Sequence, residues 1–349
     1  MAKGRSSNSG CLRISHLKGK WGNRTQRIFK RAPTRTNVFI NNIEQMFRCQ
    51  ALAPIQIMLY YFLRMTTVNK LYIGTSGWSY PKGEGTWKGY FYPPGTRDEL
   101  ERYGQFFDAV EVNSSFYRPP DPETTEHWAD KTPKGFLFAV KLWQKFTHPK
   151  MYQAAVGEAA VISADDVELF RNCLEPLLQH GKLGALLAQF PPSFINDSYG
   201  KHALKGIINH FGDCHLAIEL RHKSWSDDPA TADLLRESNI CWVQIDEPKF
   251  DFSVASDMPL TSDMAYFRFH GRNADMWWKG NNETRYMYLY SEAEIAELAE
   301  KVKTATQKST LTFAFFNNHW KAYAPRNAGD LRKALQLPFK DFSERFLIK

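Results

Sequence analysis

The sequence predicts an α/β fold, a (β/α)₈ barrel of the TIM type, on three observations. From Leu71 onward, eight short apolar runs alternate with amphipathic segments of helical period, the pattern that builds a parallel sheet. Eight such units fall within fewer than 280 residues, the size of a barrel of this kind. Nearly every apolar run also ends in polar residues, and these fall on one alternating face. The competing open, doubly wound sheet lacks its usual mark, since no G-x-G-x-x-G or Walker-type phosphate loop follows any strand.

The strands are read as Leu71–Thr75, Ala109–Asn113, Gly135–Lys141, Gly184–Phe190, Cys214–Arg221, Ile240–Asp246, Met264–His270 and Leu311–Asn317. The helical segments lie around Arg97–Phe107, Pro122–Lys131, Asp165–His180, Gly200–Phe211, Ala230–Glu237 and Glu292–Thr306, with a last one at Asn327–Leu335. Residues 65–349 are therefore expected to form one barrel domain.

The net charge of +8 suggests nucleic acid until it is divided along the chain. Residues 1–64 hold 12 Lys and Arg against the single acid Glu44, and the remainder is slightly acidic. The basic balance thus belongs to the N-terminal segment, and a nucleic-acid partner is not expected for the barrel. Residues 1–64 read as a basic extension that is disordered, acts as an organelle transit peptide or lies outside the natural protein, with a start at Met65 favoured. The apolar run Ala51–Leu63 is too short to span a membrane. Five scattered cysteines, Cys11, Cys49, Cys173, Cys214 and Cys241, without a C-x-x-C pair, fit a reducing, cytoplasmic compartment. Cys214 and Cys241 are expected in strands as core filler.

Because strand side chains alternate between faces, each strand end can be read by parity. Glu219 and Arg221 share a face, as do Glu111 and Asn113, and Arg268 and His270. Lys141 falls with Ala139, Gln189 with Leu187 and Asp246 with Gln244, while the eighth strand ends in Asn317-Asn318. Turned inward at the C-terminal mouth of a barrel, this set makes a polar site, and such mouths carry function. The blander alternative is a self-satisfied ion-pair network that closes the mouth.

Several stretches carry a resemblance to a known family. Gly74-Thr75-Ser76-Gly77-Trp78-Ser79-Tyr80, Glu111-Val112-Asn113-Ser114-Ser115-Phe116-Tyr117-Arg118, Gln189-Phe190-Pro191-Pro192, Glu219-Leu220-Arg221-His222, His270-Gly271-Arg272 and Phe316-Asn317-Asn318 occur in this order. Together they resemble the DUF72, or YecE-like, family of uncharacterised proteins, over roughly Leu71 to Leu335. The resemblance implies a TIM barrel related to sugar-isomerase and endonuclease IV-like barrels, and it supplies no activity.

The expected function is that of an enzyme acting on a small anionic, hydroxylated substrate such as a sugar phosphate or nucleotide fragment. Glu111, Glu219, Asp246 and His270 are the candidates for acid–base catalysis. Arg221, Arg268 and Arg272, with Lys141 nearby, are the candidates for holding the anion. Gly77 offers close backbone approach beside the aromatic wall of Trp78. Asn113, Tyr117, Gln189, His222, Asn317 and Asn318 complete the expected binding set. His148 is read as a loop hydrogen-bonder, while His319 is left without a role. The segment Gly271–Tyr290, dense in aromatics, is a candidate lid.

Glu111, Glu219, Asp246 and His270 could also gather round a divalent metal. No H-x-H or H-E-x-x-H pattern supports this, and Lys141 and Arg221 would compete for the carboxylates, so no metal ligands are assigned. The cofactor and the oligomeric state are left unknown. A nucleic-acid-processing barrel and a non-catalytic ligand-binding protein are the alternatives.

Overall fold

Short runs rich in Val, Ile, Leu and Phe can be buried on both faces, which suits them to parallel strands covered by helices. The computed structural model describes residues 69–281 and 283–340; the expected N-terminal extension lies outside them. Nine strands run parallel: β1 (Lys70–Ser76), β2 (Ala109–Val112), β3 (Leu137–Lys141), β4 (Leu183–Gln189), β5 (Leu216–Glu219), β6 (Cys241–Trp242), β7 (Gln244–Asp246), β8 (Met264–Phe269) and β9 (Leu311–Phe316). Their order is β6-β5-β4-β3-β2-β1-β9-β8-β7.

The two ends of that order are halves of one expected strand, Ile240–Asp246, interrupted at Val243. β6 pairs with β5 and β7 with β8, while the Val243 N–H still donates to the Ile218 carbonyl at 3.0 Å. One stretch of chain thus joins both ends of the sheet, which brings the barrel nearly to closure. The expected eight-stranded barrel is the observed fold, with its sixth strand divided.

The helices are α1 (Glu99–Tyr103), α2 (Pro122–Lys131), α3 (Gln144–Thr147), α4 (Pro149–Val156), α5 (Ala164–Gln179), α6 (Ser198–Phe211), α7 (Lys223–Ser226), α8 (Pro229–Glu237), α9 (Ala274–Trp277), α10 (Glu292–Lys308) and α11 (Tyr323–Ala334). All seven expected helices are present, and α3, α4, α7 and α9 are additions within loops. Starts are set by local chemistry. Ser163 with Asp166, and Ser291 with Glu294, form reciprocal capping boxes at α5 and α10. No described helix is long and apolar enough to cross a membrane.

Buried polar groups tie elements together at the barrel ends. The Tyr103 hydroxyl of α1 accepts from the Thr75 N–H at 2.8 Å and donates to the Ala109 carbonyl at 3.1 Å, joining β1 to β2. Cys173 and Cys241 are buried, and burial pushes their thiols up to about 12, where they are unreactive. Cys214 lies two residues before β5 rather than within it.

Among the described residues no helix links β7 to β8. The outer face there is left with a groove of about 930 Å³ between the strands and α10, lined by Gln244, Asp246, Phe267, Leu298 and Lys301 among others.

Candidate active site at the barrel mouth

Register decides which side chains meet. β1 and β2 pair Ser76 with Glu111, β2 and β3 pair Glu111 with Ala139, and β4 and β5 pair Gln189 with Glu219. Partners in a parallel ladder point to the same face, so Glu111, Glu219, Lys141 and Gln189 share the interior. Tyr266 and Arg268 of β8 join them. His270, Asn317 and Asn113 lie just past their ladders. The backbone N–H groups of His270 and Asn317 still donate to Asp246 and Phe269 carbonyls at 2.8 and 2.7 Å. Loop residues are thereby held as firmly as strand residues.

Arg268 is the keystone of the floor. Its side chain is 3% exposed, and those of Glu111 and Glu219 are fully buried. The guanidinium donates to both oxygens of Glu111, at 2.8 and 2.7 Å, and to Oε2 of Glu219 at 2.5 Å. Tyr266 donates its hydroxyl to Glu111 at 2.8 Å. Burial pushes both carboxyls up, but the neighbouring guanidinium charges outweigh it: Arg268 for Glu111, and Arg221 with Arg268 for Glu219. Both therefore end below the usual carboxylate range, Glu219 well below it.

Arg221 closes the second side. Its Nε donates to Glu219 at 2.6 Å, its Nη2 to His270 Nε2 at 3.1 Å, and its Nη1 lies 3.5 Å from Glu247. The Nε2 of His270 therefore carries the lone pair and Nδ1 the proton. Nδ1 lies 2.9 Å from the nitrogen of the Asn317 side-chain amide, and a proton on Nδ1 requires that amide to rotate so that its oxygen accepts. Burial, then the Arg268 charge, lower the His270 imidazole to about 4, so it is neutral at physiological pH. Burial raises the Glu247 carboxyl despite Arg221.

Lys141 differs from these groups. No carboxylate among the described residues lies within ion-pair distance of its ammonium. Its Nζ donates to the neutral Gln189 Oε1 at 2.7 Å and lies 4.0 Å from the centroid of the Phe116 ring. Burial, followed by the Arg268 charge, lowers the amine to about 7. Two guanidinium groups are already matched by Glu111 and Glu219, which leaves this amine as the cation with unspent charge.

The mouth above the floor is a pocket of about 600 Å³. Of the expected residues, Gly77, Trp78, Asn113, Tyr117, Lys141 and Gln189 line it, as do Arg221, Arg268, His270 and Asn317. Glu111 and Glu219 lie directly beneath. Gly77 has φ +89°, and an added Cβ would come within 3.0 Å of the Tyr80 hydroxyl, so the turn after β1 needs glycine. Trp78 packs edge-on against Trp128, while Tyr117 is 60% exposed at the rim.

Four expected residues are not brought to this pocket. Asp246 pairs in register with Phe269 and faces outward, where it accepts from Arg272 at 2.7 Å and from the Tyr290 hydroxyl at 2.7 Å. The inward position is that of the next residue, Glu247. Arg272 follows Gly271 (φ +87°), and besides Asp246 it meets Glu294 and Glu297 of α10. His222 caps α7, with Nδ1 2.9 Å from the Ser224 hydroxyl. Asn318 is fully buried and donates to the Tyr288 carbonyl at 2.8 Å and to Asn327 at 2.9 Å, fastening the Gly271–Tyr290 segment to β9.

That segment is packed onto the rim, with Trp277 and Tyr290 buried. It still contributes Tyr286 and Glu283 to the pocket. His319 also lines it, stacked on Tyr80 with ring centroids 4.5 Å apart. The His148 and Phe116 rings meet edge to face with centroids 4.9 Å apart, and burial, then the Lys141 charge, lower the imidazole to about 3. Sequence parity could have found Tyr266, which shares the phase of Arg268 on its own strand; Glu247 and the loop residues had no such signal. Among the described residues, one cluster has metal-ligand spacing, Glu126, Asp130 and His180, and it is exposed on the outer helices. At the mouth, the carboxylate oxygens of Glu111 and Glu219 are spent on Arg268, Arg221 and Tyr266.

Comparison with known proteins shows what the chain as a whole is similar to. Residues 72–346 match the family described as "Protein of unknown function DUF72". The UPF0759 protein YunF of Bacillus subtilis is 29% identical over 290 residues, covering 79% of this chain and 99% of that protein. The UPF0759 protein YecE of Escherichia coli strain K12 is 28% identical over 158 residues, 44% of this chain and 48% of its own length. A DUF72 family protein of Thermotoga maritima superposes with a TM-score of 0.67 at 36% identity, covering 76% of this chain and 99% of that one. One from Enterococcus faecalis superposes with a TM-score of 0.66 at 27% identity, over 78% of this chain and 98% of that one.

Proposed function

The chain belongs to the DUF72 family, and from the chemistry of its mouth we propose that it is an enzyme acting on a small anionic, hydroxylated substrate such as a sugar phosphate or nucleotide fragment. The observation that carries this reading is the Lys141 amine, which faces a pocket of about 600 Å³ with no carboxylate of the described residues within ion-pair distance. Lys141 is half-buried, a cation in such a place without a paired counterion is costly, and an anionic ligand would supply that partner. Asn113, Gln189, Asn317 and Tyr286 offer donors and acceptors for hydroxyl groups. Phe116, Trp78 and Tyr117 offer faces for a ring or carbon chain.

The same geometry divides the labour differently from the sequence expectation. Glu111 and Glu219 are held ionised and fully bonded, which suits them to fixing Arg268 and Arg221 rather than to exchanging protons near pH 7. His270 is neutral and orients Arg221. The group poised near neutrality is the Lys141 amine, lowered to about 7 chiefly by burial, the value at which an acid–base group is most effective at physiological pH. Proton transfer of this kind is common to hydrolysis, isomerisation and lyase chemistry.

Binding of an anion stabilises the folded protein by mass action. Wild-type melting temperature should therefore rise with millimolar phosphate or sulfate beyond the effect of matched chloride, and Lys141→Gln should lose the response. A wild type indifferent to both oxyanions would overturn the proposal.

A further inference from the structure

We propose that Lys141 is a covalent residue as well as a charged one, and that its amine condenses with the carbonyl carbon of a small aldehyde or ketone bearing an anionic group to form an imine. The proposal rests on the anion-binding reading of the mouth and adds a bond to it.

The placement of the amine favours this chemistry. Lys145 is paired with Asp166 at 2.7 Å, and the buried Lys182 is tied down by the Ala129 and Thr132 carbonyls and the Thr132 hydroxyl, away from any pocket of the barrel mouth. Lys141 is bonded instead to an amide oxygen, which accepts a hydrogen from either the ammonium or the free amine. The Phe116 ring at 4.0 Å gives the amine an apolar flank, and an amine with apolar surroundings and cationic neighbours is the activated form of this nucleophile. The groups around it come from every side of the mouth: Arg268 from β8, Arg221 and Glu219 from the end of β5, Glu111 from β2, and His148 after α3. Burial, then the Arg268 charge, lowers the amine to about 7 against the opposing pull of Glu219 and Glu111, so its lone pair is far more available than that of an ordinary lysine.

The step balances without another reactant. The Nζ lone pair forms a bond to the carbonyl carbon, and the C=O π pair moves to oxygen. The proton shed by nitrogen and the one taken up by oxygen exchange through solvent at the open mouth. A second proton from solvent then goes onto the carbinolamine hydroxyl, the C–O bond breaks with its electron pair leaving on water, and the nitrogen lone pair forms the C=N bond of the protonated imine. The protonated imine is still a cation at the position of the ammonium, so the charge that attracts the anion survives the reaction.

The test uses the full chain and pyridoxal 5′-phosphate, an aldehyde carrying a phosphate, followed by borohydride reduction and peptide mapping by mass spectrometry. At pH 7 Lys141 should be labelled at least tenfold faster than surface lysines, because an ordinary amine near 10.4 is less than about 0.1% neutral there. Inorganic phosphate should suppress this labelling selectively. Lys141→Arg keeps the charge and cannot form the imine, so it should still be stabilised by phosphate while the fast label disappears. A wild type that phosphate stabilises but in which Lys141 labels no faster than surface lysines overturns the covalent step and leaves the anion site standing. A wild type that shows neither response overturns both.

Discussion

Replacing Lys141 by Met should make the protein more stable at neutral pH, an unusual result for a residue in a charged cluster. In the folded state the amine falls from 10.5 to about 7, a difference that corresponds to a charging cost of up to about 5 kcal/mol. Losing the hydrogen bond to Gln189 gives back roughly 1–2 kcal/mol, and solvent at the mouth relieves part of the charging cost. The net gain should be on the order of 2 kcal/mol. Its pH dependence follows from the direction of the shift. A lysine with a depressed folded value binds fewer protons folded than unfolded, so its penalty is fully present below about pH 7. The penalty fades between there and 10.5 and is absent above. Urea unfolding of both proteins at pH 6, 8 and 10 measures it: the advantage of the variant should be greatest at pH 6 and shrink steadily. A difference that does not change with pH, or a variant less stable than wild type at pH 6, would refute the idea that the amine is an uncompensated charge.

Removing Arg268, as Arg268→Met, leaves the fully buried Glu111 and Glu219 short of their shared partner, so chemical denaturation should show a loss of at least about 3–5 kcal/mol. Arg221→Met should cost clearly less, because Glu219 retains Arg268 and Arg221 is itself 12% exposed; equal losses would contradict the keystone role given to Arg268. Gly77→Ala forces a side chain into a left-handed turn beside Tyr80 and should lower stability by about 1–2 kcal/mol, with weaker phosphate stabilisation as the loop shifts. Asp246→Asn disturbs only the outward cluster with Arg272 and Tyr290, so phosphate stabilisation should match wild type; its loss would return Asp246 to the site.

The fold could be read from the sequence because two periodicities alternate cleanly, and much of the mouth could be read because a β-strand has a phase. Glu111 with Asn113, Glu219 with Arg221, and Arg268 with His270 needed only the rule that every second residue shares a face. That rule assigns members to a face but does not say which face is inward. In the sixth strand, Asp246 and Glu247 are adjacent acids, and the break at Val243 leaves only three residues of β7 to show a phase. The pairing of Asp246 with Phe269 settles it, and that long-range contact has no local trace. Arg272 and His222 follow positions where the chain turns, so alternation no longer applied to them. The loop residues Tyr80, Glu283, Tyr286 and His319 come together only because the barrel brings three strand ends to one mouth. The bonding of Glu111 and Glu219 has the same origin: their types were visible in the sequence, but their bonds to Arg268 depend on β8 lying across the barrel.

The most direct measurement is the titration of the Lys141 amine itself. Competitive acylation of the wild-type protein across pH 5–11, quantified at Lys141 by mass spectrometry, reports its protonation in the folded state. The account predicts a midpoint near 7 without phosphate and a clear upward displacement when phosphate occupies the mouth, since a bound anion favours the ammonium. A midpoint near the ordinary lysine value of about 10.4, unmoved by phosphate, would contradict it.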